Sequence, residues 1–437
     1  MKTVRYTKSG EIPFVAEADV IVIGGGPGGL GAAVIAARAG ARTVLVERYG
    51  YMGGMASSGE VQPFMWNHAA GHCLDRPVYV EWVRRMQDYL SPQLKAKIPH
   101  TEEVTSGEEH MIAKDVAMLA MEDLCLEAGV RLLYHHWLVD VVLDGRRIAA
   151  AVLVSKSGFA AAVAPAFVDC TGDADLATLA GCPFEIGGPS GHCQPMTLCF
   201  KLSHVDRSRM PGNEEIHRRY SAAKERGDIH CPRENVLQFG FHDADVVHFN
   251  TTRVVQKSGV SGVELSDAEV EARHQLREYL AWLRRDVAGF EQAEVRSIAH
   301  HIGVRETRRI RGMAYLTRDD FVRSAKFPDA IARVQYPIDI HNPTGTGTEI
   351  VEQPQGEYYE IPYGCVVPQG VDNLTVGGRP ISVDHAIHSS MRVMPPACSI
   401  GQAAGLAAAM AARRGVRPAD IDGREVRAGL REKGAYL

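Results

Sequence analysis

The sequence lacks several features that would place it in well-defined classes of protein. None of its nine cysteines forms a CxxC pair, and an odd number at irregular spacing does not suit a disulfide framework. Residues 1–18 have neither the apolar core nor the cleavage site of a secretion signal. The apolar run at 403–412 is too short and too rich in alanine to span a bilayer. We therefore expect a cytoplasmic protein with reduced thiols and no membrane partner.

The net charge and the spacing of the histidines also exclude two kinds of binding site. The net charge of −5 predicts no general attraction to nucleic acid, so no nucleic-acid partner is expected. The histidine pairs at 135–136 and 300–301 have no usable ligand spacing, and we predict no metal site. With 437 residues, 45% of them hydrophobic, the chain can form two joined domains or one domain with an inserted cap. The chain could form a homo-oligomer.

What the sequence does contain is a glycine-rich turn between an apolar strand and a helix. The strand Val20–Ile23 is followed by Gly24, Gly26 and Gly29, which permit a tight turn, close approach of a pyrophosphate and close helix packing. A second strand ends at Glu47, 23 residues after Gly24, where a carboxylate accepts hydrogen bonds from a ribose hydroxyl. This pattern predicts a dinucleotide-binding βαβ unit, which both NAD and FAD use.

Three further segments favour a longer ligand. The glycines at 53–54 precede small residues, so backbone there can pass close to a flat ligand. An apolar strand runs into Thr171 and Gly172, and ligands of open α/β sheets bind at the carboxyl ends of strands. Another strand ends at the glycines 377–378, ahead of a small-residue helix that follows the prolines 395–396. A ligand contacted by both ends of the chain favours FAD.

Together these segments resemble the FAD-dependent oxidoreductase family, flavoproteins with two dinucleotide-binding domains and a glutathione-reductase-like FAD fold. The resemblance covers almost the whole chain. It rests on ADVIVIGGGPGGLGAA, ERYGYMGGMASSG, FVDCTGDADLA, QPMTLCF, GVRETRRIRG, YPIDIHNP, YEIPYGCVVP, NLTVGGRPIS and HSSMRVMPPACSIGQAAGLAAA. We expect the FAD to be noncovalent, because no histidine closely follows the glycines at 53–54.

The resemblance implies a set of cofactor-binding residues. Glycines of the first turn would bind the pyrophosphate, Glu47 the ribose, and the loop at 53–56 the isoalloxazine ring. The start of the last helix would point its N–H groups at the flavin, where they stabilise the anionic reduced form. The full set is Gly24, Gly26, Gly28, Gly29, Glu47, Arg48, Gly53, Gly54, Met55, Ala56, Leu138, Thr171, Gly172, Gly378, Arg379, Ala397 and Cys398.

We predict an α/β fold, with a Rossmann-like FAD-binding domain carrying a βββ insertion and a mixed α/β substrate-binding domain. The FAD-binding domain would comprise residues 1–63, 110–183 and 369–437. Residues 64–109 would form a helical excursion, and residues 184–368 the substrate or cap domain. Local patterns predict a helix at 114–128, a strand at 131–142 and a charged helix at 267–285.

Oxidation of an alcohol or amine by a flavin usually requires a base for the departing proton. His385 and His388 are three residues apart and precede the segment expected to contact the flavin. On a helical turn they would share a face. Each is a candidate for the base, and each could instead be a structural histidine.

Candidate substrate-binding residues are mainly arginines. If a helix starts at Arg305, then Arg305 shares a face with Arg308 or with Arg309, and the pair could hold a carboxylate or hydroxylated substrate through forked hydrogen bonds. The alternative is an ion-pair network between domains. Arg392 could anchor an anionic substrate, neutralise reduced flavin or serve only as a solvated charge. A third polar set that could line the pocket is Tyr336, Asp339 and His341.

The function expected is oxidation of a small polar substrate at an alcohol or amine carbon, by hydride transfer to flavin N5. His385 or His388 would be the base, and Arg305 would help hold the substrate. One alternative is a reductase resembling the fumarate-reductase flavoproteins, in which an arginine protonates an activated alkene. The other is a non-catalytic electron-transfer subunit, although iron–sulfur cysteine spacing is missing. A second GxGxxG is also missing, so no built-in NAD(P)H domain is expected.

Overall fold

The structure is a computed structural model that describes residues 10–69, 71–95 and 113–437. Its α-helices are α1 (Pro27–Arg38), α2 (Val78–Asp88), α3 (Pro92–Lys95), α4 (Lys114–Glu127), α5 (Asp175–Leu179), α6 (Asn213–Glu225), α7 (Gly262–Asp286), α8 (Arg318–Val322), α9 (His385–Met391), α10 (Met394–Arg414) and α11 (Gly423–Glu432). Short 3₁₀ helices span Gly54–Ala56, Tyr363–Val366 and Pro418–Asp420.

The strands are mostly short. They are β1 (Phe14–Glu17), β2 (Val20–Ile23), β3 (Thr43–Val46), β4 (His68–Ala69), β5 (His72–Cys73), β6 (Arg131–Leu133), β7 (Trp137–Asp144), β8 (Arg147–Ser155), β9 (Gly158–Val163), β10 (Ala166–Asp169), β11 (Phe184–Ile186), β12 (Phe200–Ser203), β13 (Gln238–Gly240), β14 (Val247–Phe249), β15 (Glu294–Ile298), β16 (Arg308–Ile310), β17 (Ala330–Val334), β18 (Ile338–His341), β19 (Thr348–Val351), β20 (Tyr359–Pro362) and β21 (Leu374–Val376).

A parallel five-stranded sheet in the order β21-β10-β2-β3-β6 lies at the centre of the fold. Every residue of β2, β3 and β10 is buried, as expected for strands covered on both faces. The helices α1 and α10 pack tightly through small residues: a Cβ added at Gly401 would lie 2.0 Å from the carbonyl oxygen of Gly28. The predicted Rossmann-like α/β fold is confirmed.

The βββ insertion is an antiparallel sheet of β7, β8 and β9, with β1 added in parallel at its edge. The single strand predicted at 131–142 is wrong. His135 has a φ of +58°, a left-handed conformation that interrupts a strand. The chain therefore forms β6 in the central sheet and β7 in the insertion.

A second sheet, in the order β13-β14-β12-β15, has a core of its own between α6 and α7. Tyr220 and Tyr279 stack there at 5.7 Å between ring centroids, beside Trp282. The predicted charged helix at 267–285 lies within the longer α7, which begins where the Ser261 side chain accepts a hydrogen bond from the N–H of Glu264. Residues 310–367 contribute to the main core beside the central sheet. The domain boundaries stay a prediction.

Three other predicted segments have mixed outcomes. The helix predicted at 114–128 is α4, while residues 70 and 96–109 of the helical excursion lie outside the described residues. The described part of that excursion contains β4 and β5 as well as α2 and α3. No helix starts at Arg305, because Arg308–Ile310 forms β16 and pairs antiparallel with β11. Arg305 and Arg308 therefore do not share a helical face.

Candidate cofactor and substrate site

One cavity of about 520 Å³ lies at the carboxyl ends of β2 and β10. Its lining includes Arg48, next to the end of β3, and also Arg392, Met394 and Ala397 around the start of α10, which we call its far end. Most of the predicted cofactor-binding residues contribute to its wall. Those in the wall are Gly24, Gly26, Gly28, Glu47, Arg48, Gly54, Met55, Leu138, Thr171, Gly172, Gly378, Arg379 and Ala397.

Glycines from three segments converge on this cavity, and we call Gly26, Gly28, Gly54 and Gly378 the glycine cradle. A Cβ added at Gly28 would lie 3.0 Å from the Cα of Gly378. A Cβ added at Gly54 would lie 3.0 Å from the Cα of Gly26. The N-cap of α1 has no side-chain acceptor, so its first N–H groups stay available to an anion. A ligand with a pyrophosphate fits this cradle of bare backbone.

Gly24 has a positive φ of 102°, which already favours glycine. A Cβ at this position would also lie 2.3 Å from the carbonyl oxygen of Cys170 at the end of β10. The two strand ends therefore meet only because residue 24 has no side chain.

The predicted residues outside the cavity wall support the residues that line it. A Cβ at Gly29 would lie 1.9 Å from the oxygen of Gly24, so Gly29 lets α1 approach β2. The N–H of Gly53 donates to the oxygen of Gly25 at 2.8 Å, which fixes the loop against the first turn. Ala56 is fully buried below that loop, and Cys398 packs α10 against α1.

Glu47 ends β3 and is held in place by backbone donors. Its Oε2 accepts from the N–H of Gly25 at 2.7 Å, and its Oε1 accepts from the N–H of Tyr49 at 3.0 Å. Burial raises the pKa of this carboxyl, although those two N–H groups act in the opposite direction. A carboxylate oxygen can accept a second hydrogen bond, so Glu47 can still bind a ribose hydroxyl. The neighbouring Arg48 lies over the Trp137 ring at 5.3 Å.

Arg379 links the end of β21 to the end of β10. Its Nε donates to the oxygen of Gly172 at 2.6 Å, and its Nη2 lies 2.6 Å from Asp173. The Thr171 hydroxyl donates to Asp169 at 2.7 Å, and Asp169 also accepts from the N–H of Ala177. The charge of Arg379 is thus matched locally, and its position in the cavity wall is well determined.

The far end of the cavity contains the first turn of α10. Met394 and Ala397 line the cavity; the N–H of Ala397 donates to the oxygen of Val393 at 3.1 Å, and the N-cap residue Val393 offers no side-chain acceptor to the N–H of Met394. The prolines at positions 395 and 396 occupy this first turn, where a missing N–H costs nothing. This 21-residue helix presents its positive end to the cavity.

The two candidate bases lie on α9, in different environments. His385 is partly exposed, and its Nδ1 lies 2.8 Å from Oε1 of the fully buried Glu306. His388 has no exposed surface, and neither of its ring nitrogens has a hydrogen-bond partner within the described part of the chain. Burial and the charge of Arg309 hold the pKa of His388 well below its usual value. Neither histidine lines the cofactor cavity.

Arg305 lies among other arginines, and we call Arg233, Arg253, Arg305 and Arg392 the arginine cluster. The Nη1 of Arg305 donates to the oxygen of Pro195 and to the hydroxyl of Thr197, both at 2.7 Å. Burial, followed by the charges of Arg392 and Arg233, lowers the pKa of Arg305 to about 9.

The predicted polar set joins this cluster. Nη2 of Arg392 lies 3.5 Å from Oδ2 of Asp339, and Nε2 of His341 lies 3.6 Å from Oδ1 of Asp339. Nη2 of Arg253 lies 3.2 Å from Nδ1 of His341. Burial and the surrounding arginines hold the pKa of His341 well below its usual value. Burial raises the pKa of Tyr336, which lies on the same side.

Sequence reasoning missed Arg233 and Arg253, whereas the structure separates Arg308 from Arg305. Arg308 pairs with Asp175 at 2.8 Å on the wall of the cofactor cavity, away from the arginine cluster. Arg233 and Arg253 lie 72 and 52 residues before Arg305 and belong to no recognisable motif. Only the folded arrangement connects them with Arg392.

Comparison with known proteins places the whole arrangement in a family. The family model described as FAD dependent oxidoreductase matches residues 19–430. A soluble pyridine nucleotide transhydrogenase from Erwinia tasmaniensis is 35% identical over 97 residues, which are 21% of this chain and 20% of that protein. The chain thus matches about a fifth of that relative's length.

Among solved structures, a p-nitrophenol 4-monooxygenase from Pseudomonas putida DLL-E4 is similar with a TM-score of 0.45 and 12% identity, covering 96% of this chain and 89% of that one. A geranylgeranyl bacteriochlorophyll reductase-like protein from Thermoplasma acidophilum also has a TM-score of 0.45 and 12% identity, covering 95% and 82%. A flavin-dependent brominase has a TM-score of 0.46 and 12% identity, covering 95% and 83%.

The structure also bears on membrane and metal binding. Within residues 10–69, 71–95 and 113–437, no helix is both long and apolar enough to cross a bilayer. The same residues contain no group of three or more His, Cys, Asp or Glu side chains arranged to hold a metal ion.

Proposed function

Since the chain belongs to the family of FAD-dependent oxidoreductases, we propose that it oxidises a small polar substrate at an alcohol or amine carbon. The observation that carries this proposal is the continuity of the cavity. A single cavity runs from the glycine cradle to Arg392, whose Nη2 approaches Asp339. A polar substrate bound beside Arg392 would therefore lie next to the end of the cofactor cavity.

The protein's own groups would bind and orient FAD along this cavity. The glycine cradle and the first turn of α1 would hold the pyrophosphate, and Glu47 would accept a hydrogen bond from the ribose. The positive end of α10 would stabilise negative charge at the far end. When bound, FAD supplies the two-electron acceptor for a hydride at N5.

His385 is the better of the two candidate bases. Glu306 accepts from Nδ1 of His385 and so fixes the ring orientation, leaving Nε2 to take the proton from a substrate hydroxyl or amine. Glu306 is itself held by the N–H of Gln194 at 3.0 Å and by the guanidinium of Arg309. His388 is less suited, because its ring nitrogens are completely buried.

The base can be tested by measuring anaerobic flavin reduction by a substrate in His385→Gln. We expect bound FAD to be retained and the reduction rate to fall about 100-fold or more, as for loss of a general base. His230→Gln is a matched control, since His230 pairs with Glu278 at 2.7 Å on the surface. If His388→Gln slows reduction while His385→Gln does not, the assignment of the base is wrong.

One observation favours reduction of an activated alkene as a second candidate function. Burial and neighbouring arginines lower the pKa of Arg305 to about 9, which makes its guanidinium a better proton donor than an exposed one. Arg305→Lys distinguishes the two functions. A dehydrogenase should retain substantial activity, whereas a reductase that uses Arg305 as its acid should lose nearly all of it.

The substrate class can be found by anaerobic screening of hydroxylated and amino compounds for bleaching of the flavin absorbance. At least one compound should bleach the flavin if the protein is a dehydrogenase or oxidase. If none does, reduction by NADH followed by reoxidation with activated alkenes would support the reductase instead.

A further inference from the structure

The arginine cluster carries more positive than negative charge. Its four guanidinium groups, within the described part of the chain, are matched by the carboxylates of Asp339 and Glu234, of which Glu234 lies 3.0 Å from Arg253. All four arginines act to lower the pKa of His341. The cluster therefore holds a surplus of two positive charges in a largely buried place.

Arg305 and Arg233 are the two members of the cluster that form no ion pair with the described residues. Both acceptors of the Nη1 of Arg305 are neutral oxygens, those of Pro195 and Thr197. None of the described carboxylates lies within ion-pair distance of its guanidinium, although Asp339 contributes a favourable charge from farther away. A buried cation of this kind is costly unless a partner of opposite charge is supplied.

The arginine cluster also contains N–H donors that have no acceptor among the described residues. Nη1 of Arg233 and Nε of Arg392 are buried and have no acceptor among the described residues. Buried N–H groups are nearly always hydrogen-bonded, so two unpaired ones in a single cluster indicate that acceptors are missing. A ligand with several anionic oxygens would provide them.

The cluster is enclosed but still reachable. The side chains of Arg392, Asp339 and His341 retain 13%, 15% and 11% of their exposure. Arg392 also lines the far end of the cofactor cavity, beside Met394 and Ala397. A ligand that reaches Arg305 would thus lie next to the place where the proposed oxidation occurs.

From this charge surplus and this position we infer that the arginine cluster is a subsite for a small dianion, with Arg305 as its central anchor. The ligand would carry two carboxylates or one phosphate, since guanidinium forks match both groups. Asp339 and His341 orient Arg392 and Arg253 around it. This inference rests on the proposed function only in treating the ligand as the substrate.

The test is direct binding to the FAD-loaded protein by calorimetry at constant ionic strength, with malonate, inorganic phosphate and acetate as probes. Malonate or phosphate should bind saturably and about tenfold or more tightly than acetate, because a second anionic group meets the second surplus charge. Tighter malonate binding would identify a dicarboxylate site, and tighter phosphate binding a phosphate site. Equal or absent binding of all three probes would overturn the inference.

The anchor is tested with Arg305→Met, which should weaken the preferred dianion about tenfold or more. Arg311→Met is a matched control in the same segment, because Arg311 is half-exposed and pairs with Glu185 at the surface. It should leave binding unchanged, and equal weakening in both variants would contradict the assignment. Arg305→Lys keeps the charge without the fork and should give an intermediate affinity, which provides a second test if Arg305→Met does not fold.

The two proposals can fail separately. If no compound bleaches the flavin but Arg305→Met loses malonate binding, oxidation is wrong and the subsite remains. If a substrate bleaches the flavin at the same rate in the native protein and in Arg305→Met, and no dianion binds, the subsite is wrong and oxidation remains.

Discussion

One end of the site is formed by backbone and the other by charged side chains. The glycine cradle is backbone: bare Cα atoms and N–H groups at the ends of α1 and of the central strands, with Gly28 and Gly378 in near contact. The arginine cluster is made of long side chains that reach one place from segments next to β13, β14, β16 and α9. The first depends on the absence of atoms, and the second on the placement of charge.

This difference determines how each end responds to substitution. The glycine cradle and the turn at Gly24 tolerate almost no substitution, since a single Cβ at Gly24 or Gly28 meets other backbone atoms that cannot move aside. A guanidinium cluster can lose one member and keep part of its field. We expect abrupt losses at the cradle and graded losses at the arginines.

The largest expected effect is that of Gly24→Ala. The added Cβ would lie 2.3 Å from the oxygen of Cys170, so β2 and β10 must separate. We expect loss of bound FAD and destabilisation of about 4 kcal/mol or more, measured by flavin content and by urea unfolding. Gly40→Ala is the matched control, because Gly40 also has a positive φ but nothing lies within 4 Å of its added Cβ. It should cost only about 1–2 kcal/mol and keep FAD. Equal losses in Gly24→Ala and Gly40→Ala would mean that the strain of a positive φ, and not the contact with Cys170, causes the effect.

The same contrast explains what could be predicted from the sequence. Each part of the cofactor site is specified by spacing within a short segment, such as Gly24 to Glu47, because a strand, a turn and a helix place these residues together locally. The family, the central sheet and most cavity-lining residues follow from it. The arginine cluster joins Arg233, Arg253, Arg305 and Arg392, whose positions depend on a second sheet with no motif. His135 was missed for another reason: its left-handed φ is a single-residue event inside an apolar run.

A smaller effect is expected at the buried ion pair that joins the cofactor loop to the second sheet. Glu60 follows the cofactor loop, is completely buried, and lies 2.8 Å from Nζ of Lys114 and 2.5 Å from Nζ of Lys201 on β12. Although burial opposes it, the charges of the two lysines lower the pKa of Glu60. Glu60→Gln leaves two enclosed ammonium groups without their carboxylate, so we expect destabilisation of about 3 kcal/mol in urea unfolding.

The control for this prediction is Glu215→Gln. Glu215 also pairs with two cations, Arg218 and Arg219, but the three side chains keep between 33% and 71% of their exposure to solvent. We expect a change below about 1 kcal/mol, which salt should reduce further. If Glu60→Gln lowers the free energy of unfolding by no more than Glu215→Gln does, the ion pair of Glu60 does not stabilise the contact between the cofactor loop and the second sheet.

The smallest expected effect concerns a buried carboxyl that accepts hydrogen bonds from two neutral side chains. Asp75 accepts from the Ser399 hydroxyl of α10 at 2.7 Å and from the amide of Asn67 at 2.8 Å, and burial raises its pKa to about 7. The folded state therefore binds a proton that the unfolded state has released above about pH 4, so stability falls as pH rises through this window. We expect a loss of about 2 kcal/mol between pH 5 and pH 7 in urea unfolding. Asp75→Asn should remove that loss, since the amide does not titrate. Because two lysines lower the pKa of Glu60 whereas burial raises that of Asp75, the two buried carboxyls should show opposite pH dependence, and a parallel one would show that burial alone governs both.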